Sequence, residues 1–247
     1  MPSSSPSYGD DLAYIHDVGF GSFARHASRR LLAELRRLKL REGRVVELGC
    51  GSGITSAALA KAGYDVLGYD LSRAMVRIAR RRVPEAEFRV ASFLKAELPP
   101  CIAVTAIGEV FNYLFDRQNT HAQLSRLFRR IHRALEPGGV LLFDGAEPGR
   151  IVGGGRRRYG LEGGGWACLV DAEEDGERSI LTRKITSFRK IGPLYRREHE
   201  VHRLRLFDRR RIVAELRELG FRVRLLRSYG ELQFPPGYVA LLCRKEV

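Results

Sequence analysis

Three glycines at alternate positions, with a carboxylate just before them, give this chain its clearest chemical signature. Gly49, Gly51 and Gly53 follow an apolar run that ends near Glu47. Alternate glycines let the backbone turn sharply and approach a ligand closely, because they carry no Cβ. Residues 54–62, which come next, have the pattern of a helix. A strand, a glycine turn and a helix in this order begin a nucleotide-binding α/β unit.

The spacing of the glycines favours a cationic nucleoside over NAD. The dinucleotide fingerprint G-x-G-x-x-G requires glycine at position 54, where this chain has Ile54. A carboxylate such as Glu47 repels a pyrophosphate and attracts an ammonium or a sulfonium. The motif resembles the E/D-x-G-x-G-x-G signature of class I S-adenosylmethionine-dependent methyltransferases. Taken alone, it could also be a chance glycine turn, so its context decides.

A second apolar run, residues 65–72, supplies part of that context because it contains Asp70. An acidic residue roughly 20 positions beyond a glycine loop can accept hydrogen bonds from ribose hydroxyls. The resemblance to the methyltransferases assigns this role to Asp70, with Leu71 beside it. Alternatively, Asp70 only caps the helix predicted over residues 72–82. Ser72 can cap that helix by itself, which would leave Asp70 free for the ligand.

The next two strand ends complete the resemblance. Ser92 and Phe93 follow a third strand, where the family commonly has an acidic residue for the adenine amino group and then a residue whose backbone reads the ring edge. A serine hydroxyl accepts the same hydrogen bond more weakly than a carboxylate. Gly108 follows the fourth strand, residues 102–107, at the turn against which the family places the methionine part of the cofactor. The acidic residue that many members carry early in that strand is missing here.

The resemblance therefore implies one cofactor site built at the ends of four strands. Its expected residues are Glu47, Gly49, Cys50, Gly51, Gly53, Asp70, Leu71, Ser92, Phe93 and Gly108. The catalytic residue is not assigned, although a proton acceptor helps when the methyl acceptor is a hydroxyl or an ammonium. Five side chains are expected near the mouth of the site: His16, Glu109, Asn112, Tyr113 and Tyr229. Of these, His16 and Tyr113 are kept as catalytic candidates, and either could instead be a packing residue.

The order of the elements predicts an α/β fold. We expect a Rossmann-like seven-stranded methyltransferase sheet, mostly parallel with a C-terminal antiparallel hairpin, and an antiparallel β insertion after strand five. A helix is predicted at 121–135, a Pro-Gly-Gly turn at 137–139 and the fifth strand at 140–144. The remaining elements predicted from pattern are strands at 166–170, 179–189 and 194–207, a helix at 209–219 capped by Asp208, and strands at 221–226 and 238–243.

One domain, residues 1–247, is expected in four parts. These are an N-terminal segment and helix (1–40), the cofactor-binding core (45–144), a lid insertion (150–207) and the completion of the core (208–247). Residues 1–10 are expected to be disordered and 24–40 to form a basic amphipathic helix. The glycine stretches at 153–155 and 163–165 are expected to flank a mobile loop, whose arginines could attract a carboxylate or phosphate of the substrate.

Composition excludes several classes of protein. No run reaches the roughly 18 apolar residues of a membrane span, and the amino terminus lacks a signal-peptide pattern. The four cysteines, at positions 50, 101, 168 and 243, have neither disulfide-framework nor metal-ligand spacing. His199 and His202 should point to opposite faces of one strand, which makes them a poor metal pair. A reduced, cytoplasmic protein without a metal is the simplest interpretation.

Net charge leaves a second hypothesis open. The chain has 43 Lys and Arg against 29 Asp and Glu, a formal net charge of +14, which suggests a polyanionic partner. The basic residues are, however, spread over nearly every element. A small-molecule methyltransferase is therefore the first hypothesis, because small-molecule members of the family build a lid from such an insertion and the amino-terminal segment. An RNA or protein methyltransferase is the alternative, and a third is a non-catalytic S-adenosylmethionine-binding protein. The sequence does not indicate an oligomeric state.

Overall fold

Apolar strands alternate with helices through most of the chain, as a computed structural model describes for residues 8–246. The elements in chain order are α1 (Asp10–Arg37), β1 (Arg44–Leu48), α2 (Ile54–Lys61), β2 (Asp65–Asp70), α3 (Arg73–Arg82), β3 (Glu87–Val90), β4 (Cys101–Ala106), α4 (His121–Ala134), β5 (Leu135–Ala146), β6 (Gly155–Gly163), β7 (Trp166–Asp175), β8 (Ile180–Ile191), β9 (Leu194–Arg205), α5 (Arg209–Glu218), β10 (Phe221–Leu226), β11 (Ser228–Tyr229), β12 (Leu232–Gln233) and β13 (Tyr238–Lys245).

Seven strands form the core sheet in the order β10-β13-β5-β4-β1-β2-β3. β3, β2, β1, β4 and β5 are parallel neighbours, and β13 is antiparallel to both β5 and β10. The expected mostly parallel sheet with a C-terminal antiparallel pair is thus confirmed. The strand order reverses at β1, because β2 and β3 lie on one side of it and β4 and β5 on the other. A crevice therefore opens at the carboxyl ends of β1 and β4, where open α/β sheets bind ligands.

Strand β5 starts earlier than its pattern predicts. The Pro-Gly-Gly turn expected at 137–139 lies inside the strand, because pairing with β4 already begins at Leu135. The register then shifts, so that Cys101 lies opposite Leu135 but Ala103 lies opposite Val140. This irregularity accommodates the extra residues, and Gly138 takes a positive φ of 77° within it.

The first helix is far longer than predicted and begins at Asp10 instead of residue 24. Residues 1–7 lie outside the described residues, so the expectation of disorder is contradicted at residues 8–10, where Tyr8 and Gly9 are hydrogen-bonded and the helix begins. Gly19 and Gly21 explain why the sequence did not predict this part of the helix, because glycine has a low helix propensity. A Cβ at Gly19 would lie 2.5 Å from the Trp166 ring, and one at Gly21 would lie 2.8 Å from Ile54. These glycines therefore let the helix pack closely against its neighbours.

Strands β6 to β9 form a separate four-stranded antiparallel sheet, called here the insertion sheet, in the order β6-β7-β8-β9. The antiparallel insertion after strand five is confirmed, but the mobile loop expected around residues 153–165 is wrong. Most of that segment is β6, paired with β7 from Gly155 opposite Glu174 to Gly163 opposite Trp166. A Cβ at Gly163 would lie 2.5 Å from the indole of Trp166, so this glycine makes room for the ring.

The first helix joins the two sheets. Near its start, Leu12 and Ile15 pack with Trp166 of the insertion sheet. Near its end, Leu31 and Leu35 pack on the core sheet. The fully buried carboxylate of Asp11 accepts hydrogen bonds from Arg189 and Arg196, which are both on the insertion sheet. The insertion sheet is therefore held over the crevice by both apolar and ionic contacts.

Candidate cofactor and substrate site

A cavity of about 460 Å³ lies at the carboxyl ends of the core strands, beneath the insertion sheet and beside α1. Nine of the ten cofactor residues predicted from the sequence line it, as do both catalytic candidates, His16 and Tyr113. Gly53 is the exception. It has a φ of +78° at the start of α2, and a Cβ there would lie 3.0 Å from Ala79, so this glycine permits close packing of α2 against α3.

The glycine turn has the conformation that its sequence predicts. Gly49 and Gly51 have positive φ angles of 73° and 54°. A Cβ at Gly49 would lie 2.5 Å from Val110, whereas Gly51 faces open space. Gly108 has a φ of 95°, and a Cβ there would also face open space. A ligand can therefore lie directly against the backbone at two facing turns of the cavity.

Asp70 is positioned by the glycine turn itself. One carboxylate oxygen accepts a hydrogen bond from Gly51 N at 2.9 Å, and the other accepts from Ser72 N at 2.8 Å. Ser72 caps α3 as predicted, by accepting from Met75 N, but Asp70 is not wholly free as the sequence suggested. Burial raises the pKa of Asp70, and these backbone N–H groups partly offset the shift. Each carboxylate oxygen retains a lone pair for a ligand hydroxyl.

Glu47 lies at the carboxyl end of β1 with a buried side chain. Its carboxylate accepts a hydrogen bond from the Ser56 hydroxyl, and Thr105 is a second partner. Burial raises the pKa of Glu47 to about 7, against the opposing effect of these hydrogen bonds. The side chain is a buried acid without a cationic partner among residues 8–246, and it lines the cavity.

Ser92 and Phe93 lie where the resemblance puts them, on the wall of the cavity after β3. The Ser92 hydroxyl accepts a hydrogen bond from Leu94 N at 3.3 Å, which caps the short 3-10 turn Phe93–Lys95. Ser92 is nearly buried. Its hydroxyl hydrogen has no acceptor in this contact, so the group retains hydrogen-bonding capacity.

A buried carboxylate that the sequence analysis missed, Asp144, organises the turn after β4. It accepts hydrogen bonds from Gly108 N and Glu109 N, both at 2.8 Å, and from the hydroxyls of Tyr229 and Tyr238 at 2.9 and 2.7 Å. Burial raises the pKa of Asp144 to about 6, although these donors oppose the shift. The position of Asp144 at the end of a predicted strand was the signal, since such positions face the crevice.

Glu109 is strained and ion-paired at the far side of the cavity. It has a φ of +62°, which is uncommon for a residue other than glycine and clusters at functional sites. Its carboxylate binds the guanidinium of Arg183 through both oxygens, at 2.6 and 3.0 Å, and Arg150 at 3.2 Å. Burial would raise the pKa of Glu109, but the charges and hydrogen bonds of Arg183 and Arg150 together outweigh it and hold the pKa below its ordinary value. Glu109 is thus an ionised carboxylate, already engaged with two cations.

Around the amino-terminal end of α1, a polar cluster closes another side of the cavity. The hydroxyls of Tyr8 and Tyr113 are 3.0 Å apart. Glu200 of β9 accepts hydrogen bonds from Tyr8 N at 2.9 Å and Gly9 N at 2.8 Å, and it lies 2.9 Å from Nε2 of His202. Residues 8–9 are therefore attached to the insertion sheet through a single carboxylate. Neither Glu200 nor this attachment was visible in the sequence pattern.

His16 lines the same part of the cavity and stacks on Phe20. Its Nδ1 is buried and has no hydrogen-bond partner. Burial lowers the pKa of His16 to about 4, with a smaller opposing effect from the charge of Asp17. The imidazole is therefore neutral at pH 7 and retains an unused polar nitrogen.

Two of the residues expected at the mouth are structural instead. Asn112 is fully buried, and its amide bonds the backbone of Ala146 and Arg205. Tyr229 is fully buried and does not line the cavity. His202 is buried whereas His199 is exposed, so the two do point to opposite faces. Within residues 8–246, no cluster of three His, Cys, Asp or Glu side chains could hold a metal ion.

The arginines of the supposed mobile loop are not in the site. Arg156 and Arg158 are exposed on β6 and pair with Asp171 of β7. The arginines that reach the cavity are Arg150 and Arg183. Strand periodicity was the signal for Arg183, because it shares a face of β8 with Leu181 and Ile185.

Comparison with known proteins agrees with this geometry. Residues 45–139 match the family model described as a methyltransferase domain. The chain is 26% identical over 234 residues to dTDP-4-amino-2,3,4,6-tetradeoxy-D-glucose N,N-dimethyltransferase of Saccharopolyspora spinosa, a match that covers 90% of this chain and 88% of that protein. It is 35% identical over 123 residues to trans-aconitate 2-methyltransferase of Delftia acidovorans, covering 48% and 44% of the two chains. Residues 45–139, which include the glycine turn and the ends of β1 to β4, are therefore similar to a methyltransferase domain.

A solved structure of an S-adenosylmethionine-dependent methyltransferase from Clostridium acetobutylicum has the same fold along most of the chain. Its TM-score is 0.80 at 16% identity, with 96% of this chain and 98% of that chain covered. The first curated relatives are matched over only 42% and 41% of their own length. Among residues 8–246, no helix is long and apolar enough to cross a membrane.

Proposed function

We propose that this protein is an S-adenosylmethionine-dependent methyltransferase that acts on a small molecule. One observation carries the proposal: a cavity of about 460 Å³ whose floor is the glycine turn with Asp70 and Ser92, and whose roof is the insertion sheet. The volume lies within the ~300–1,000 Å³ of small-molecule sites. A duplex or a protein surface has less room beneath such a roof.

The residues at the floor fit the cofactor by their chemistry. S-adenosylmethionine, when bound, supplies a methyl group on a sulfonium. Gly51 and Gly108 leave the backbone bare for close contact, and Asp70 retains acceptor capacity for ribose hydroxyls. Ser92 would bind the adenine edge, with Phe93 beside it. The carboxylate of Glu47 attracts a cation, which favours this cofactor over NAD.

The chain's remaining task is to hold the acceptor and exclude water. Alignment of the reacting atoms and removal of solvent are sufficient to accelerate methyl transfer from a sulfonium. The insertion sheet and α1 supply the walls that do this. His16 is the candidate proton acceptor, because it is neutral at pH 7 and its Nδ1 is unpaired. Tyr113, whose pKa is raised chiefly by burial, would instead orient the acceptor with a protonated hydroxyl.

The relatives suggest where to begin the search for the acceptor. The Saccharopolyspora spinosa enzyme, matched over most of this chain, is named for an amino sugar attached to a nucleotide. An amino sugar is therefore the first acceptor class to test. The four buried, unpaired cysteines support a reducing compartment, and we place the protein in the cytoplasm on that basis.

Calorimetry and a transfer assay test the proposal. S-adenosylmethionine and S-adenosylhomocysteine should bind, and NAD should not. Methyl transfer from labelled cofactor should then appear with a member of a panel of amino sugars, hydroxy acids and phenols, and not with RNA. Binding of NAD alone would overturn the cofactor. Cofactor binding without transfer to any compound, RNA or protein would favour a non-catalytic binding protein.

A further inference from the structure

Arg183 is a charged residue among apolar residues on the inner face of the insertion sheet. Along β8, the residues that share a face with Arg183 are Leu181 and Ile185, and the inward residues of β7 include Val170. The Arg183 side chain is only 15% exposed. Charged side chains are rarely buried on an apolar surface unless they are paired or functional.

Arg183 has no carboxylate of its own. Two guanidinium groups, those of Arg183 and Arg150, share the carboxylate of Glu109, and neither forms another salt bridge among residues 8–246. The nearby carboxylate of Asp144 forms no salt bridge with them and accepts instead from backbone N–H groups and tyrosine hydroxyls. The two guanidinium groups therefore keep N–H donors that no carboxylate of the described residues accepts, and an anionic ligand group would satisfy them.

Charge is distributed unevenly along the cavity. Glu47 and Asp70 lie at the glycine turn, and neither has a cationic partner in the described part of the chain. Arg150 and Arg183 lie at the opposite side, around Glu109. A cavity with an acidic end and a cationic end is complementary to a cationic group at the first and an anionic group at the second.

We propose that the methyl acceptor carries an anionic group, a carboxylate or a phosphate, and that Arg183 binds it with the help of Arg150. This inference rests on the proposed function, since it names the substrate class of the same site. Arg183 uses one hydrogen bond from each terminal nitrogen on Glu109. A guanidinium has five N–H donors in a planar fork, so three of them are left for the ligand and for Tyr113 beside it.

Glu109 holds the guanidinium in place and also competes with the ligand. Its carboxylate occupies part of the fork that an anion would use. Removal of its charge should therefore strengthen anion binding, whereas removal of Arg183 should weaken it. If the Glu109–Arg183 ion pair only joins β8 to the turn after β4, both variants should lose stability. In that case, anion affinity should not rise in one variant and fall in the other.

The test measures binding of simple anions by calorimetry, separately from activity. Protein saturated with S-adenosylhomocysteine is titrated with inorganic pyrophosphate, with citrate and with neutral glycerol, at constant ionic strength. We expect pyrophosphate or citrate to bind and glycerol not to bind, and the tighter anion identifies a phosphate or a carboxylate. Arg183→Gln should weaken anion binding at least tenfold, and Glu109→Gln should strengthen it. Arg156→Gln, which removes an exposed paired arginine of the same sheet, should leave it unchanged.

Failure of the two proposals can be told apart. If wild-type protein does not bind S-adenosylhomocysteine, the proposed function fails, and the anion titrations in cofactor-free protein still report on Arg183. Equal anion affinity in wild type and Arg183→Gln, or an equal loss in Arg156→Gln, overturns the anionic substrate. If Arg183→Gln does not fold, Arg183→Lys keeps the charge without the fork and should also bind more weakly. An unchanged or lower affinity in a folded Glu109→Gln variant likewise overturns the inference.

Discussion

The hydroxyl of Ser72 donates a hydrogen bond to the backbone carbonyl of Tyr8 at 2.7 Å. Ser72 also caps α3 and donates its own N–H to Asp70. The segment before α1 is thus attached on one side to the proposed ribose-binding end of the cavity. On its other side, Tyr8 and Gly9 donate to Glu200 of the insertion sheet. Residues 8–9 therefore couple the cofactor site to the roof of the cavity.

Substitution of Glu200 should loosen this attachment. Glu200→Gln removes the charge and places an amide N–H₂ towards a backbone N–H, with a cost of about 1.5–3 kcal/mol for a hydrogen bond to a charged group. Amide hydrogen exchange across residues 8–23 should become faster, and cofactor affinity should fall several-fold. Glu173→Gln, an exposed residue of the same sheet, is the control. Unchanged exchange in the Glu200→Gln variant would show that the contacts of Glu200 do not hold residues 8–23 in place.

Closure over ligands is a second prediction at the same place. If α1 and the insertion sheet close over cofactor and acceptor, exchange at residues 8–23 and 166–207 should slow when both ligands are added. The reason is that ligand contacts stabilise the closed arrangement of these elements. Residues 221–226, in β10 at the far edge of the core sheet, serve as an internal reference. Protection that is the same with and without ligands would contradict closure.

Removal of the Asp70 charge should weaken cofactor binding. Asp70→Asn loses charge-assisted hydrogen bonds worth about 1.5–3 kcal/mol each, which corresponds to roughly ten- to hundredfold in affinity. Asp65→Asn is a matched control, because Asp65 begins the same strand but is exposed and pairs with Arg44. Equal affinity of wild type and Asp70→Asn in calorimetry would exclude the ribose role.

Substitutions of Ser92, which we expect to contact the adenine, should change cofactor affinity less than Asp70→Asn does, and in opposite directions for alanine and aspartate. Ser92→Ala should weaken binding by roughly 0.5–1.5 kcal/mol, the net value of a neutral hydrogen bond, and Ser92→Asp should strengthen it. Thr120→Ala is the control, since Thr120 caps α4 in the same way and does not line the cavity. That variant should lower the free energy of unfolding without changing affinity. If Ser92→Asp binds more weakly than wild type, Ser92 does not contact the adenine amino group.

Local sequence patterns predicted the core and the floor of the site because both depend on short-range features. The glycine turn, Asp70 and Ser92 follow strands at fixed offsets, and parallel strands bring their carboxyl ends together. The roof was predicted only in outline. Its polar contacts join residues far apart in the chain, such as Glu109 with Arg183, and no local pattern specifies which carboxylate meets which guanidinium.

The same limit explains the errors at α1 and β6. Gly19 and Gly163 weaken the local signal for helix and strand, but each makes room for Trp166, which is distant in the sequence from Gly19 and is the strand partner of Gly163 across the β6–β7 turn. Tertiary packing decided both elements against their local propensity. The role of the many arginines could not be predicted from the sequence for the same reason. Only the folded chain distinguishes the exposed Arg156 from the largely buried Arg183.

Glu47 gives a pH-dependent prediction whose sign follows from its burial. Its pKa is raised from an ordinary 4.5 to about 7 in the folded protein. Between those values the folded state retains a proton that the unfolded state has lost, so this group reduces stability as pH rises from 4.5 to 7. A bound cation acts in the opposite direction, because it favours the ionised carboxylate.

Affinity for S-adenosylmethionine should therefore increase with pH around neutrality. With a pKa near 7, about a tenth of Glu47 is ionised at pH 6 and about nine-tenths at pH 8, so affinity should rise about tenfold if the ionised form is required. Glu47→Gln should bind more weakly and lose this rise. S-adenosylhomocysteine, which keeps the ammonium but lacks the sulfonium, distinguishes which charge Glu47 faces: a rise for both ligands indicates the ammonium, and a rise for S-adenosylmethionine alone indicates the sulfonium. An identical pH profile in wild type and Glu47→Gln would show that Glu47 contacts neither.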